Sequence, residues 1–319
     1  MESGADGLQF EEGGGMSGQS VFDLGECASV KPPAETEKTR YIVGISGGKD
    51  STAVLLWMIH ESGIDRDKIV CTFSDTGNEH EWTYAHVEKV SREIHEVTTL
   101  KPKDDFYELA FRKKRFPSTK ARFCTEELKI EPTEAFMEKM IYDGFSVVSV
   151  SGVRANESED RKKLQEYDYA GYRIAYIQWR PILSWKIEDV LAIHAKYGFP
   201  LNPLYEAGAQ RVGCYPCIMS RKSEIRTIAM RFPERIDMIR KAEQETEKRF
   251  GRYSSFFPRT HIPERFRTKP FKLQDGTWIK VATIDDVVRW SMSGKGAKGQ
   301  WDDEDQPPEQ IGCMSGFCE

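Results

Sequence analysis

The chain has 319 residues, 39% of them hydrophobic, and its 46 basic and 51 acidic residues leave a net charge of −5. That balance excludes a protein that coats nucleic acid through a general positive field. The longest purely apolar run, residues 53–59, is far short of the roughly 20 needed to span a bilayer, and the start of the chain lacks a basic-then-apolar leader, so a cytoplasmic, non-membrane protein is expected.

Residues 1–38 are rich in Gly, Glu and Ser without apolar periodicity and read as a disordered tail. Beyond them, apolar runs of strand length at 41–45, 69–73, 97–100, 146–150 and 173–178 alternate with helical patterns at 52–60, 79–94, 105–112 and 132–141. Alternation of this kind implies βαβ units, so the expected fold is α/β: a doubly wound, Rossmann-like parallel sheet. A further helix is read at 185–197, then a loop, helices at 223–231 and 233–250, a hairpin around Asp275-Gly276, a helix near 285–290 and a polar tail. The expected organisation is a nucleotide-binding domain at 39–220 and a helical extension at 221–319 with a cysteine-containing tail. Trp82, Trp179, Trp185 and Trp290 read as core, and the six histidines show no ligand spacing.

The first strand ends in "IVGISGGKDSTAVLLWMIH". In a doubly wound sheet this loop lies at the carboxyl edge, where ligands bind. Gly47 and Gly48 let the backbone approach an anion, the helix that follows points its N–H groups at it, and Lys49 adds a positive charge. The gap is shaped for phosphate. It is not the P-loop G-x-x-x-x-G-K-[ST], because Val43 takes the first glycine position and Asp50 follows the lysine.

The string Ser46-Gly47-Gly48-Lys49-Asp50-Ser51 resembles the pyrophosphate loop of the PP-loop ATP-pyrophosphatase superfamily, the adenine nucleotide alpha hydrolase-like fold. "SDTGNEHEWTY" (74–84), "SGVRANESEDR" (151–161), "RPILSWKIEDVLAIHAKYGFPLNPLYEAG" (180–208) and "GCYPC" (213–217) are similar, in the same order, to segments of the phosphoadenosine phosphosulfate (PAPS) reductase family. The resemblance covers about residues 41–220. It implies an adenine nucleotide, ATP or PAPS, with Mg²⁺, held by residues 46–51, by Asp75, Thr76 and Gly77, and by Gly152, Arg154, Glu157 and Arg161. Lys49, Asp50 and Arg154 are the expected catalytic residues. Physically, Arg154 and Arg161 suit phosphate or sulfate oxygens, with Glu157 orienting one of them. Asp75 suits ribose hydroxyls or hydrated Mg²⁺, and Asp50 suits Mg²⁺; either could instead cap the next helix.

Seven cysteines are an odd number, better suited to metal or thiol chemistry than to a disulfide framework. Cys27 lies in the tail, and Cys71, in an apolar strand, reads as a small buried hydrophobe. Cys124 stands where iron–sulfur members of the family carry a cysteine pair, here reduced to one followed by Thr125. With Cys214 and Cys217 it would hold a [4Fe–4S] cluster, the fourth corner open or closed by Cys313 or Cys318. Zinc on the same thiolates, or thiols without metal, remain alternatives.

The expected function is adenylation of an acceptor with release of pyrophosphate, followed by sulfur transfer, as in enzymes of nucleic-acid thiolation or phosphorothioation. A PAPS or adenylylsulfate reductase served by thioredoxin is the second reading; against it, the intact SGGKDS suits expulsion of pyrophosphate, and the ending "GCMSGFCE" does not reproduce the catalytic Glu-Cys-Gly of the assimilatory enzymes. A non-catalytic nucleotide-binding module is the third. The basic, aromatic loop 111–123, "FRKKRFPSTKARF", is a candidate contact for a nucleic-acid acceptor or for the extra phosphate of PAPS, and a sulfur-donor protein is a further expected partner.

Overall fold

A computed structural model describes residues 35–257, 262–273 and 275–293. Most of the 1–38 tail, with Cys27, and the C-terminal Cys313 and Cys318 lie outside the described residues.

Strands β1 (Thr39–Gly44), β2 (Ile69–Ser74), β3 (Val97–Leu100), β4 (Ser146–Val150), β5 (Tyr167–Ala170) and β6 (Tyr176–Trp179) form one sheet in the order β3-β2-β1-β4-β6-β5. All neighbours are parallel except β5 and β6. Successive side chains of a strand point to opposite faces, and both faces are covered. Tyr41, Val43 and Ile45 pack against α1 (Lys49–His60), α2 (Glu81–Glu93) and α6 (Ile187–Lys196), whereas Ile42 packs against Met137 of α5 (Glu131–Tyr142). This is the expected doubly wound α/β sheet.

The second core lies beyond the sheet. It joins α3 (Phe106–Arg112), the turn α4 (Phe123–Thr125) and residues 204–218 to α7 (Lys222–Arg231), α8 (Pro233–Phe250) and α9 (Ile284–Met292). Between α8 and α9 a hairpin pairs β7 (Lys269–Lys272) with β8 (Trp278–Val281) around Asp275-Gly276.

Three departures from the sequence reading have local causes. The strand expected at 173–178 starts only at Tyr176, because 171–175 is the turn from a strand that was not foreseen, β5; the Glu134 carboxylate holds that turn by accepting the Tyr172 and Arg173 N–H groups. A π segment, Glu126–Ile130, precedes α5, and its wider turn blurs the 3.6-residue pattern. Trp179 and Trp290 are core as expected, but Trp82 is 38% exposed, its ring edge against His80 and Phe232. Cys71 is buried as expected, and burial pushes its thiol up to about 12.

Glu243 of α8 ties the second core together. It is almost fully buried and accepts the Phe256 and Ile284 N–H groups, both at 2.9 Å, and the Tyr253 hydroxyl. Burial pushes its carboxyl up to about 7 from an ordinary value of 4.5. Between those values the unfolded chain gives up a proton that the folded chain keeps. Stability is therefore expected to fall as pH rises through that window, by roughly 3 kcal/mol for this group. Urea unfolding at pH 5 and pH 8 should show the loss, and Glu243→Gln should remove it; an identical pH dependence in the variant would refute the assignment.

Candidate active site

The strand order reverses between β1 and β4, so the loops leaving these strands open on one crevice at the carboxyl edge of the sheet. Gly48, extended, is the N-cap of α1, so the helix starts three residues earlier than its apolar pattern suggests and carries Lys49 and Asp50 in its first turn. Gly47 turns the loop at φ +79°, where a Cβ would lie 2.8 Å from Thr83 Cγ2 of α2. The Ser46 hydroxyl accepts the Gly48 N–H at 3.2 Å. Residues at and after the end of α6 brace the loop from the far side. Asn202 Nδ2 donates to the Gly47 carbonyl at 3.1 Å, the Tyr205 hydroxyl accepts the Lys49 N–H at 3.1 Å, and His194 Nε2 lies 2.8 Å from the Lys49 carbonyl. None of these three was assigned a role from the sequence, although the Asn-Pro-Leu-Tyr string was noticed.

Asp50 is fully buried, and its two carboxylate oxygens take different cations: the Lys49 ammonium at 2.6 Å and the Arg154 guanidinium. Gly152 makes this possible. A Cβ there would stand 2.7 Å from the Asp50 carbonyl carbon and 2.8 Å from Ser51 N, so only glycine lets the β4 loop lie against α1. Glu157 accepts the Arg154 N–H at 3.0 Å and pairs with the buried Arg161. The structure thus joins Lys49, Asp50, Arg154, Glu157 and Arg161 in one run of alternating charge. Neither aspartate caps the helix that follows it: Gly48 stands at the N-cap of α1 and His80 at that of α2.

Asp75 closes the third loop. Its Oδ1 accepts the Gly77 N–H at 3.1 Å and the Tyr84 hydroxyl at 2.7 Å. Burial first, then the Glu79 carboxylate, pushes the Tyr84 phenol far above its usual range, so it remains a donor. Glu79, buried and unforeseen, accepts the Thr76 N–H at 3.1 Å and the Thr76 hydroxyl at 2.7 Å, and the Cys214 thiol lies 3.6 Å from its Oε1. A short bridge between Glu79 and Cys214 and the Tyr215 N–H to Asn78 carbonyl bond at 2.8 Å dock the cysteine loop on the Asp75 loop. Lys129, carried inward by the π segment, is also buried. It and Gly213 line two small cavities, of about 20 and 30 Å³, one facing Ser46 and Glu79, the other facing Cys214, Cys217 and Glu224.

Cys214 faces Glu79 and Thr76, the Cys217 sulfur accepts the Met219 N–H at 3.4 Å, and Cys124 packs against the second core. Among the described residues, which do not include Cys313 and Cys318, no three His, Cys, Asp or Glu side chains are grouped to hold a metal ion. In the 111–123 loop, Arg112 pairs with Asp104 and Glu127, and Lys113 also pairs with Glu127, which spends part of its positive charge inside the fold. Among the described residues no helix is long and apolar enough to cross a membrane.

A model of the phosphoadenosine phosphosulfate reductase domain matches residues 40–220. An uncharacterized 37.8 kDa protein of Escherichia phage 186 is 31% identical over 89% of this chain and 98% of its own length. An adenosine 5'-phosphosulfate reductase of Bacillus cytotoxicus is 25% identical, over 46% of this chain and 61% of its own length. Among solved structures, the phosphate complex of the PAPS reductase of Candida auris superposes with a TM-score of 0.43 at 19% identity, over 57% of this chain and 83% of that one.

Proposed function

The chain belongs to the phosphoadenosine phosphosulfate reductase family, and from that premise we propose that it is an ATP-dependent enzyme that adenylates an acceptor and then replaces the activated oxygen by sulfur. In the first step an acceptor oxygen attacks the α-phosphorus of ATP bound with Mg²⁺, the bond to the bridging oxygen breaks, and pyrophosphate leaves. In the second, a sulfur atom attacks the activated centre and AMP departs with the former acceptor oxygen.

One observation carries this reading: an intact Ser46-Gly47-Gly48-Lys49-Asp50-Ser51 loop at the strand-order reversal, with Lys49 and Arg154 converging on Asp50. Catalysis here is positioning and charge neutralisation. Lys49 and Arg154, both positioned by the buried Asp50, neutralise phosphate oxygens as charge moves to pyrophosphate, and Asp75 would take the ribose or the hydrated Mg²⁺. Sulfur, delivered by a donor as a persulfide on Cys214, would reach the activated centre past Lys129. Glu79 is the base beside that sulfur, and Cys217 can release the thiolated product by attacking Cys214 and closing a disulfide, which a cellular thiol then reduces. A nucleic acid is the acceptor we favour, because the part of the 111–123 loop left uncommitted by ion pairs, Lys114 and Arg115 among it, remains cationic. The protein is taken to work in the cytoplasm.

The relative named adenosine 5'-phosphosulfate reductase supports a second reading, reduction of an adenylated sulfate. The two separate on products. With ATP, Mg²⁺ and bulk tRNA or DNA we expect pyrophosphate to accumulate, and with PAPS or adenylylsulfate plus thioredoxin we expect no sulfite; the opposite pattern refutes the adenylation reading.

A further inference from the structure

Residues 248–280 carry nine lysines and arginines against two acidic residues, in a chain whose net charge is −5. They include the end of α8 and the β7–β8 hairpin, and these two elements wall a cavity of about 750 Å³. Arg252 and Tyr253 line one side of it, and Phe271, Lys272 and Trp278 the other. Trp278 is 67% exposed, an unusual cost for the largest apolar side chain on a two-stranded hairpin. Lys272 is its cross-strand partner, with the ammonium 5.9 Å from the indole ring. The two lining carboxylates are already engaged: Glu247 pairs with Lys269 at 2.5 Å, and Asp275 accepts the Thr277 N–H at 2.9 Å in the hairpin turn. The positive surface continues beyond the cavity, because the Phe116 N–H donates to Ser254 Oγ at 3.0 Å and the Lys114 ammonium lies over the Phe250 ring. Those contacts set the 111–123 loop beside the end of α8.

We propose that this groove binds single-stranded nucleic acid, with Trp278 stacking on a base and Arg252 and Lys272 holding the flanking phosphates. A flat aromatic face beside cations suits a base next to a phosphodiester; a carboxylate-rich peptide has no group for the indole. The other end of α8 reaches the active site, where Arg235 donates to the Glu79 carbonyl at 3.1 Å. From Arg235 to Glu247 the helix rises about 18 Å. A polymer held at the groove can span that length to the adenylation site, whereas a small acceptor cannot. The groove as acceptor dock rests on the proposed function; its affinity for nucleic acid does not.

The test is fluorescence anisotropy of the full chain with labelled 20-nucleotide single strands of DNA and, separately, RNA. Binding of either at 50 mM KCl is expected, weakening with salt on a log–log slope of about −2, the value for roughly three neutralised phosphates. Trp278→Ala should weaken binding about tenfold, within the range found for one stacked base. Arg252→Glu with Lys272→Glu should abolish it and leave the circular dichroism spectrum unchanged. No binding of either strand, unchanged binding by these variants, or displacement by polyglutamate as effective as by unlabelled oligonucleotide would overturn the proposal. Pyrophosphate release assayed on the wild-type chain separates the outcomes: no oligonucleotide binding by the wild type, with its nucleotide chemistry intact, sinks the groove alone.

Discussion

Arg154→Met is expected to destabilise the protein by roughly 3–5 kcal/mol and to lower its pyrophosphate-forming activity by at least about 100-fold. The reason lies in Asp50, which is fully buried with its carboxylate divided between the Lys49 ammonium and the Arg154 guanidinium. Removing the guanidinium leaves a desolvated negative charge with half its compensation. Urea unfolding and a pyrophosphate assay measure the two effects. The double variant Asp50→Asn with Arg154→Met tells the causes apart, since it removes the stranded charge as well. It should recover most of the stability and none of the activity. A double variant as unstable as the single one would mean that Arg154 stabilises through packing alone.

Gly152→Val should abolish nucleotide binding while the sheet survives. The new Cβ would sit 2.7 to 2.8 Å from the backbone of Asp50 and Ser51, and backbone atoms at the start of a buried helix cannot step aside as a flexible side chain would. Relief comes only by parting the β4 loop from α1, which carries Arg154 away from Asp50. Calorimetry with ATP and Mg²⁺ is expected to show no heat of binding for the variant, alongside a native circular dichroism spectrum. Wild-type affinity in Gly152→Val would mean that the two loops need not touch for the site to work.

What the sequence disclosed and what it hid follow from the range of the interactions. The six-residue loop was legible because strand, turn and helix start lie within a dozen neighbours, and the long strand-helix alternation fixed the sheet type. The edge strand β5 escaped because its four residues hold no aliphatic side chain larger than alanine and it is paired on one side only. Helix α1 was read three residues short because its first turn holds Lys49 and Asp50, which carry no apolar signal. The Glu79 to Cys214 contact, 135 residues apart, and the Lys49 to Tyr205 bond, 156 apart, exist only once the chain has folded. Spacing along a chain cannot announce such pairs. The three-cysteine set rests on family order: Cys124 and Cys217 pack against the same core, but among the described residues no such group is gathered as a metal site.

The Tyr205 hydroxyl already occupies the Lys49 N–H, one of the donors a phosphate group would use. Under the proposed function, a phosphate that takes this donor would have to evict the phenol. On that reading the outer phosphates of ATP would reach this donor, and AMP, lacking them, would not. In the proposed reaction, the phenol would then return to its donor once pyrophosphate had gone, leaving the spent AMP with less to hold it, so that the step that makes the product also loosens it.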